Sequence, residues 1–113
     1  MSSPITTHIL DTHLGVPASG VLIELFRKEE GGERRLAFGR TDEDGRIRDL
    51  LEAGTLEEGA YRMRFAIAEY HQRRGIEGFY PEASVSFIVR NRDQHYHIPL
   101  LLSPFAYSTY RGS

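Results

Sequence analysis

The chain of 113 residues, with 40% hydrophobic and 27% charged side chains, has the composition of a small globular protein and not of a disordered segment. Its formal net charge of −2 provides no positive field for nucleic acid, and the absence of cysteine excludes disulfides, thiolate metal sites and thiol nucleophiles. No apolar run approaches the roughly 20 residues of a membrane helix and no secretory signal is visible, so we expect a single cytoplasmic domain, residues 1–113, that binds neither nucleic acid nor membrane.

The first predicted strand covers residues 6–11. Thr6, His8 and Leu10 project from one side of it, because successive side chains of a strand point to opposite faces. A histidine on such a face is usually packed or hydrogen-bonded to its neighbours, so this strand by itself predicts no chemistry.

A hairpin and a tight turn are predicted after the first strand. Residues 21–26 are rich in β-forming side chains, and residues 36–41 can return beside them. The segment 41–46 is predicted to be a turn, because its Asp-Gly pair supplies the positive φ that a tight connection needs. Arg46 follows the turn directly and, taken alone, is typical of a solvated surface arginine.

The second half of the chain combines alternating strands with one short helix. Residues 61–67 alternate between apolar and charged side chains, and residues 85–89 repeat the pattern. Between them, residues 68–75 are the one plausible helix, with a glycine stop. The final segment supplies two strands, broken near Ser103-Pro104 because proline donates no ladder hydrogen bond.

These elements predict an all-β fold, an antiparallel β-sandwich of seven or eight strands with one short helix. The exposed edges of such a sandwich favour pairing with another subunit.

Two histidines stand two residues apart near the carboxyl end. On a strand, His95 and His97 project from the same face about 7 Å apart. The pair could bind a metal, act in acid–base chemistry or be two half-exposed strand residues, and the spacing alone favours the last reading. Zinc would need a third ligand that no local spacing supplies, so no metal site is predicted. His13 and His71 are interpreted as ordinary surface residues.

The segment that follows these histidines is unusual, because the last residues of a domain are normally poorly ordered and tolerate many substitutions. An apolar run leads from His97 to Ser103, and the sequence ends Tyr110-Arg111-Gly112-Ser113. We expect this tail to lie inside the structure, with the apolar run forming a buried strand. No phosphate-binding loop, nucleophile elbow or close carboxylate pair is present, so the residues alone leave the function open.

Three blocks of sequence nevertheless form a recognisable set. They are Thr-His-Ile-Leu-Asp at 7–11 with Gly-Val-Pro-Ala at 15–18, the turn that ends in Gly-Arg at 45–46, and the run over 95–113. In this order, and across nearly the whole chain, they resemble the transthyretin-related hydrolases, which are 5-hydroxyisourate hydrolases of purine (urate) degradation. The Tyr-Arg-Gly-Ser finish is the most specific block, because it resembles the hydrolases and differs from the hormone-carrying transthyretins.

The resemblance implies a transthyretin-like sandwich assembled as a homotetramer of two dimers, with active sites in the channel between the dimers. The implied reaction is hydrolysis of 5-hydroxyisourate to 2-oxo-4-hydroxy-4-carboxy-5-ureidoimidazoline by histidine-assisted attack of water, without a cofactor or metal. The alternative is a non-enzymatic carrier of a small ligand in the same channel, although charged and polar residues would line an apolar channel poorly.

The resemblance also assigns roles to residues. The catalytic set that it implies is His8, Arg46 and His97. The implied substrate-binding set is His8, Arg46, Tyr110, Arg111, Gly112 and Ser113. It leaves open which histidine is the general base, and we expect His95 to have a structural part.

Overall fold

The computed structural model describes residues 3–113, which form two packed sheets and one helix. In chain order the elements are β1 (Ile5–Asp11), β2 (Val16–Pro17), β3 (Leu22–Glu29), β4 (Gly32–Arg40), β5 (Arg46–Ile47), β6 (Gly59–Phe65), α1 (Ile67–Arg73), β7 (Ala83–Val89), β8 (Tyr96–Ser103) and β9 (Ala106–Thr109). One sheet has the order β4-β3-β6-β7, and the other has the order β2-β1-β8-β9 with β5 also paired to β1. The predicted β-sandwich with one short helix is confirmed. The structure has nine described strands instead of the predicted seven or eight, because it also contains β2 and β5, which are only two residues long.

The helix is displaced slightly from its predicted position. It was expected at residues 68–75 and spans Ile67–Arg73, so Ile67 belongs to the helix and not to the preceding strand. Gly75 then leaves the helix with a φ of 68°, a conformation that favours glycine. The predicted glycine stop is confirmed. Within residues 3–113, no helix is long and apolar enough to cross a membrane.

Period-two alternation separates the core from the outer face of the sheet that contains β1. The odd-numbered side chains of β1 are buried, and its even-numbered side chains are half-exposed on the other side. In β8, Ile98, Leu100 and Leu102 pack in the same core. The predicted burial of the apolar run is therefore confirmed, and the outer face of β1 is left to carry Thr6 and His8.

Strand β1 pairs with β8 in parallel, whereas the other described pairs of strands are antiparallel. The register places Thr6 opposite His97, and His8 opposite Pro99. A chain of hairpins does not predict this pairing, because it joins residues 91 positions apart. It is the departure from the antiparallel prediction that positions the functional site.

The carboxyl-terminal tail is only partly inside the protomer. After the buried strand β8, the side chains of β9 are exposed at the edge of the sheet. Phe105 is 63% exposed and Tyr110 is 59% exposed. The expectation that the whole tail lies inside the structure is wrong for these residues of the protomer, because a sheet edge cannot bury both faces and its open side.

His71 is buried, so its interpretation as a surface residue is wrong. Ile67, Tyr70 and His71 form the buried face of α1, at the spacing that places side chains on one side of a helix. The His71 ring contacts the Tyr70 ring, and a Cβ added to Gly78 would lie 2.9 Å from His71 Cδ2.

A buried hydrogen bond joins α1 to β1. The Tyr70 hydroxyl donates to Asp11 Oδ2 at 2.7 Å, and both residues are buried. Asp11 Oδ1 accepts the backbone N–H groups of His13 and Leu14, each at 3.0 Å. Burial and the Asp11 carboxylate raise the pKa of Tyr70 to about 12, so the tyrosine remains a hydrogen-bond donor at neutral pH.

Replacing Tyr70 with phenylalanine would leave a buried carboxylate oxygen without this donor. We expect the free energy of unfolding to fall by about 1–3 kcal/mol, measured by urea denaturation at fixed protein concentration. Tyr80→Phe is the matched control, because Tyr80 is partly exposed and its ring contacts would be kept. The control should differ from wild type by less than about 0.5 kcal/mol. Equal stability of Tyr70→Phe and wild type would contradict this role.

Candidate functional site

The tight turn before β5 is built around Asp42. Asp42 Oδ1 accepts the backbone N–H groups of Asp44 and Arg46 at 2.8 and 3.0 Å. Gly45 has a φ of 74°, and a Cβ there would lie 2.5 Å from the Ile9 carbonyl oxygen. Only glycine fits a position with both constraints. The predicted Asp-Gly turn is confirmed, and it delivers Arg46 onto the sheet at a fixed point.

The pairing of three strands brings the predicted catalytic residues to one outer face. Strand β5 pairs with β1 so that Arg46 lies directly opposite His8. Strand β8 pairs with the other side of β1, where His97 lies opposite Thr6. Because Thr6 and His8 share the half-exposed side of β1, the groups from all three strands meet there. Cross-strand neighbours of this kind are close enough to interact.

Thr6 joins the two histidines near the carboxyl end. Its Oγ1 lies 2.9 Å from His95 Nε2 and 2.9 Å from His97 Nδ1. The two rings are 6.4 Å apart and inclined by 20°, so their predicted projection from one face is confirmed. Among residues 3–113, no three His, Cys, Asp or Glu side chains are grouped as metal ligands.

Thr6 is a site residue that the sequence analysis missed. Its position on the same face as His8 was visible in the sequence. Its contact with His95 and His97 depends on the long-range register of β1 and β8, which no local pattern reveals.

The surroundings favour the neutral form of both candidate catalytic histidines. Partial burial lowers the pKa of His97, and the positive charge of Arg46 lowers it further. Burial also lowers the pKa of His8, and the positive charge of Arg46 lowers it further, whereas Asp44 raises it. A neutral imidazole has one nitrogen free to accept a proton. Both histidines are therefore suited to act as proton acceptors near neutral pH.

Gly112 packs against the His97 ring. Its N–H donates to the His97 carbonyl oxygen at 2.9 Å. A Cβ at this position would overlap His97 Cδ2 and would lie 3.2 Å from Pro99 Cγ. A glycine is therefore required sterically at this position of the Tyr-Arg-Gly-Ser finish, because it lets the backbone lie directly against the His97 ring.

A small depression opens beside Arg46. Its volume is ≈ 270 Å³. Its lining residues are Thr6, Thr7, Arg46, Ile47 and Arg48. Pockets for drug-sized ligands measure roughly 300–1,000 Å³, so this one suits a smaller molecule. The planar guanidinium of Arg46 can donate two parallel hydrogen bonds to oxygens of such a ligand.

The remaining residues of the tail point elsewhere in the protomer. Tyr110 and Arg111 line a separate cavity of ≈ 240 Å³ next to β7. The Arg111 guanidinium lies 4.6 Å from the centroid of the Tyr96 ring and donates to Gln94 Oε1 at 3.3 Å. Ser113 is exposed. Of the predicted site residues, the outer face of the sheet gathers His8, Arg46, His97 and Gly112. The catalytic and substrate-binding roles of all seven predicted residues stay predictions.

Comparison with known proteins identifies the family of this chain. The family model described as HIUase/Transthyretin matches residues 5–112. The chain belongs to the HIUase/Transthyretin family. One relative is the 5-hydroxyisourate hydrolase of Halalkalibacterium halodurans. It is 44% identical over 119 residues, and the match covers 100% of this chain and 100% of the relative.

Solved structures with the HIUase/Transthyretin fold include proteins of two kinds. Sea bream transthyretin in complex with thyroxine matches with a TM-score of 0.93 and 34% identity, over 97% of this chain and 95% of that chain. The 5-hydroxyisourate hydrolase of Klebsiella pneumoniae matches with a TM-score of 0.83 and 36% identity, over 96% of this chain and 92% of that chain. Because both share the fold, the side chains of the site must distinguish a hydrolase from a thyroxine-binding protein.

Replacing Arg46 with glutamine would remove the positive charge opposite His8. We expect the pKa of His97 and of His8 to rise, because Arg46 lowers both. Titration of the histidine ring signals by NMR measures this directly. Arg48→Gln is the matched control, since exposed Arg48 pairs with Asp42 and Asp44. An unchanged His97 pKa in Arg46→Gln would contradict the electrostatic role.

Replacing Gly112 with alanine would force the backbone away from the His97 ring. We expect the hydrogen bond from position 112 to the His97 carbonyl to weaken, with faster amide exchange there and altered His97 ring signals in NMR spectra. Gly39→Ala is the control, because a Cβ at Gly39 would make only ordinary contact, 3.5 Å from Ile47 Cδ1. Unchanged exchange and ring signals in Gly112→Ala would show that the close approach is not required.

Proposed function

We propose that the chain is a 5-hydroxyisourate hydrolase of purine degradation. The observation that carries this proposal is the meeting of His8, Arg46 and His97 on one half-exposed face, where the pKa of each histidine is lowered. A relative that matches this chain over the whole length of both and is named for this activity supports the choice of substrate.

In the proposed mechanism, His97 is the general base. Its Nδ1 faces Thr6, so Nε2 is the nitrogen left to accept a proton from water while the water oxygen attacks a ring carbonyl carbon. General-base assistance of this kind contributes about 10²–10⁴ in rate. The imidazole of His8, whose pKa is lowered by burial and then by Arg46, can accept a hydrogen bond from the same water and orient it.

Arg46 stabilises the negative charge that develops in this reaction. As the new C–O bond forms, the carbonyl oxygen becomes an oxyanion, and the guanidinium can donate to it and to neighbouring ring oxygens. The C–N bond then breaks, and the leaving nitrogen takes a proton from the His97 imidazolium. The base returns to its neutral form and water has been added across the bond.

A carrier of a small apolar ligand is the second candidate, because a thyroxine-bound transthyretin shares the fold. The polar face argues against it. A ligand without charge would have to remove water from a guanidinium and two imidazoles that it cannot satisfy, and burying such groups without partners is costly.

We also propose that the chain forms one domain and assembles in the cytoplasm as a homotetramer, a dimer of dimers. Strands β7 and β9 lie at the edges of their sheets, and Phe79, Ile88 and Phe105 are exposed. Assembly would cover such surfaces. In that assembly Tyr110, Arg111 and Ser113 would complete the substrate site. Light scattering coupled to gel filtration tests the stoichiometry.

The hydrolase proposal predicts faster decay of 5-hydroxyisourate. When the compound is generated from urate in situ, its ultraviolet absorbance should fall faster with the protein than without it. We expect His97→Asn to lower kcat by about 10²–10⁴ and Arg46→Ala by about 10²–10³. Because burial and Arg46 lower the pKa of His97, the acid limb of kcat/KM should lie below the ordinary histidine value of 6.5, with activity rising with pH as the base loses its proton.

His13→Asn is the matched control for the histidine variant, because His13 is exposed and should tolerate the change at the wild-type rate. Decay no faster than the spontaneous reaction would rule out the hydrolase. Tight binding of a hydrophobic ligand without turnover would favour the carrier.

A further inference from the structure

We propose that Thr6 and His95 are positioning residues that set the tautomer of His97. In this arrangement, His97 Nδ1–H donates to Thr6 Oγ1, and the Thr6 hydroxyl donates to His95 Nε2. His97 Nε2 is then left with a lone pair that faces the reaction. The effect on rate rests on the proposed hydrolase function, whereas the tautomer itself can be measured without substrate.

The geometry places one hydroxyl between two ring nitrogens. Thr6 Oγ1 lies 2.9 Å from His95 Nε2 and 2.9 Å from His97 Nδ1. A hydroxyl has a single proton to donate and two lone pairs that accept. If it donates to His95, it can only accept from His97, and His97 must then carry its proton on Nδ1.

The opposite direction would disable the base. If Thr6 donated to His97 Nδ1, neutral His97 would carry its proton on Nε2 and could not take one from water there. The surroundings of the two rings break the symmetry between these directions. His95 is exposed, so solvent can take over the N–H of its Nδ1, whereas His97 is half-buried.

The His97 ring is held on two sides. On one side, Thr6 is fixed by the parallel register of β1 and β8. The adjacent Thr7 hydroxyl reinforces that register by donating to the Ile98 carbonyl oxygen at 2.6 Å. On the other side, Gly112 lies against the ring. The histidine therefore has little freedom to rotate away from the Thr6 hydroxyl, so the hydrogen bond can control its proton.

Control of the tautomer has a large effect when the histidine is a base. In serine proteases, an exchange that holds the catalytic histidine in the wrong tautomer costs about 10⁴ in kcat. Removing Thr6 would release the tautomer of His97 instead of locking the wrong one. We therefore expect a smaller loss, of about tenfold, at the lower end of the roughly 10–100-fold cost of removing a partner that orients a metal-binding histidine.

The test compares Thr6→Val, which keeps the branched shape, with Thr6→Ser, which keeps the hydroxyl. In wild-type protein and Thr6→Ser, nitrogen-15 NMR of the neutral rings should show His97 protonated on Nδ1. In Thr6→Val, a substantial fraction of the neutral His97 rings should carry the proton on Nε2. We expect kcat to fall about tenfold with little change in KM. His95→Ala should shift the tautomer in the same direction, because it removes the acceptor for the Thr6 proton.

Thr12→Val is the matched control. The Thr12 hydroxyl donates to the Leu102 carbonyl oxygen at 3.0 Å, so this variant loses a comparable bond of the same sheet without touching a histidine. It should keep the wild-type tautomer and kcat. An active wild-type enzyme whose Thr6→Val variant keeps the His97 tautomer would overturn this inference and leave the hydrolase standing, even if kcat fell. If the wild-type protein does not hydrolyse the substrate, the proposed function fails and the NMR comparison alone decides the inference.

Discussion

The parallel pairing of β1 with β8 is the constraint on which the rest of the structure depends. On the inner side of this pair, Ile5, Ile9 and Leu100 are fully buried in the core. On the outer side, the same register places Thr6 against His97. A slip of one residue would turn apolar side chains outward and polar ones into the core. Each fully buried aliphatic side chain contributes about 1.5–3 kcal/mol, so the hydrophobic core fixes the position of the polar site.

The site is a set of polar groups on a sheet that is already rigid. His8, Arg46 and His97 come from three different strands, and the local constraints are steric or involve backbone hydrogen bonds, as with Gly45 and Gly112. Because the outer face is half-exposed, these polar groups need not lose all their water on folding, and the cost of placing them there stays small. The positive charge of Arg46 then serves twice, since it can bind substrate oxygens and also keeps the histidines neutral.

Local features of the fold could be predicted from the sequence. Alternation identified Thr6 and His8 as sharing one face of β1, the apolar run predicted the buried strand β8, and the Asp-Gly pair identified the turn before Arg46. The parallel pairing, the part played by Thr6 and the burial of His71 could not be predicted, because each depends on contacts between distant parts of the chain. The same limit applies to the catalytic set. The family resemblance made His8, Arg46 and His97 candidates. The local sequence around each of them predicts only an ordinary surface or strand residue.

The separation of β1 from β8 along the chain has a consequence for synthesis on the ribosome. After β1 has been translated, its partner in the middle of the sheet emerges only about 90 residues later, given the 91 positions between Thr6 and His97. Until then β1 can pair only with short strands, and its other edge stays open to unwanted pairing. Sheet closure and assembly of the site must therefore coincide, so a nascent chain that lacks β8 has neither the central strand of this sheet nor a working set of side chains.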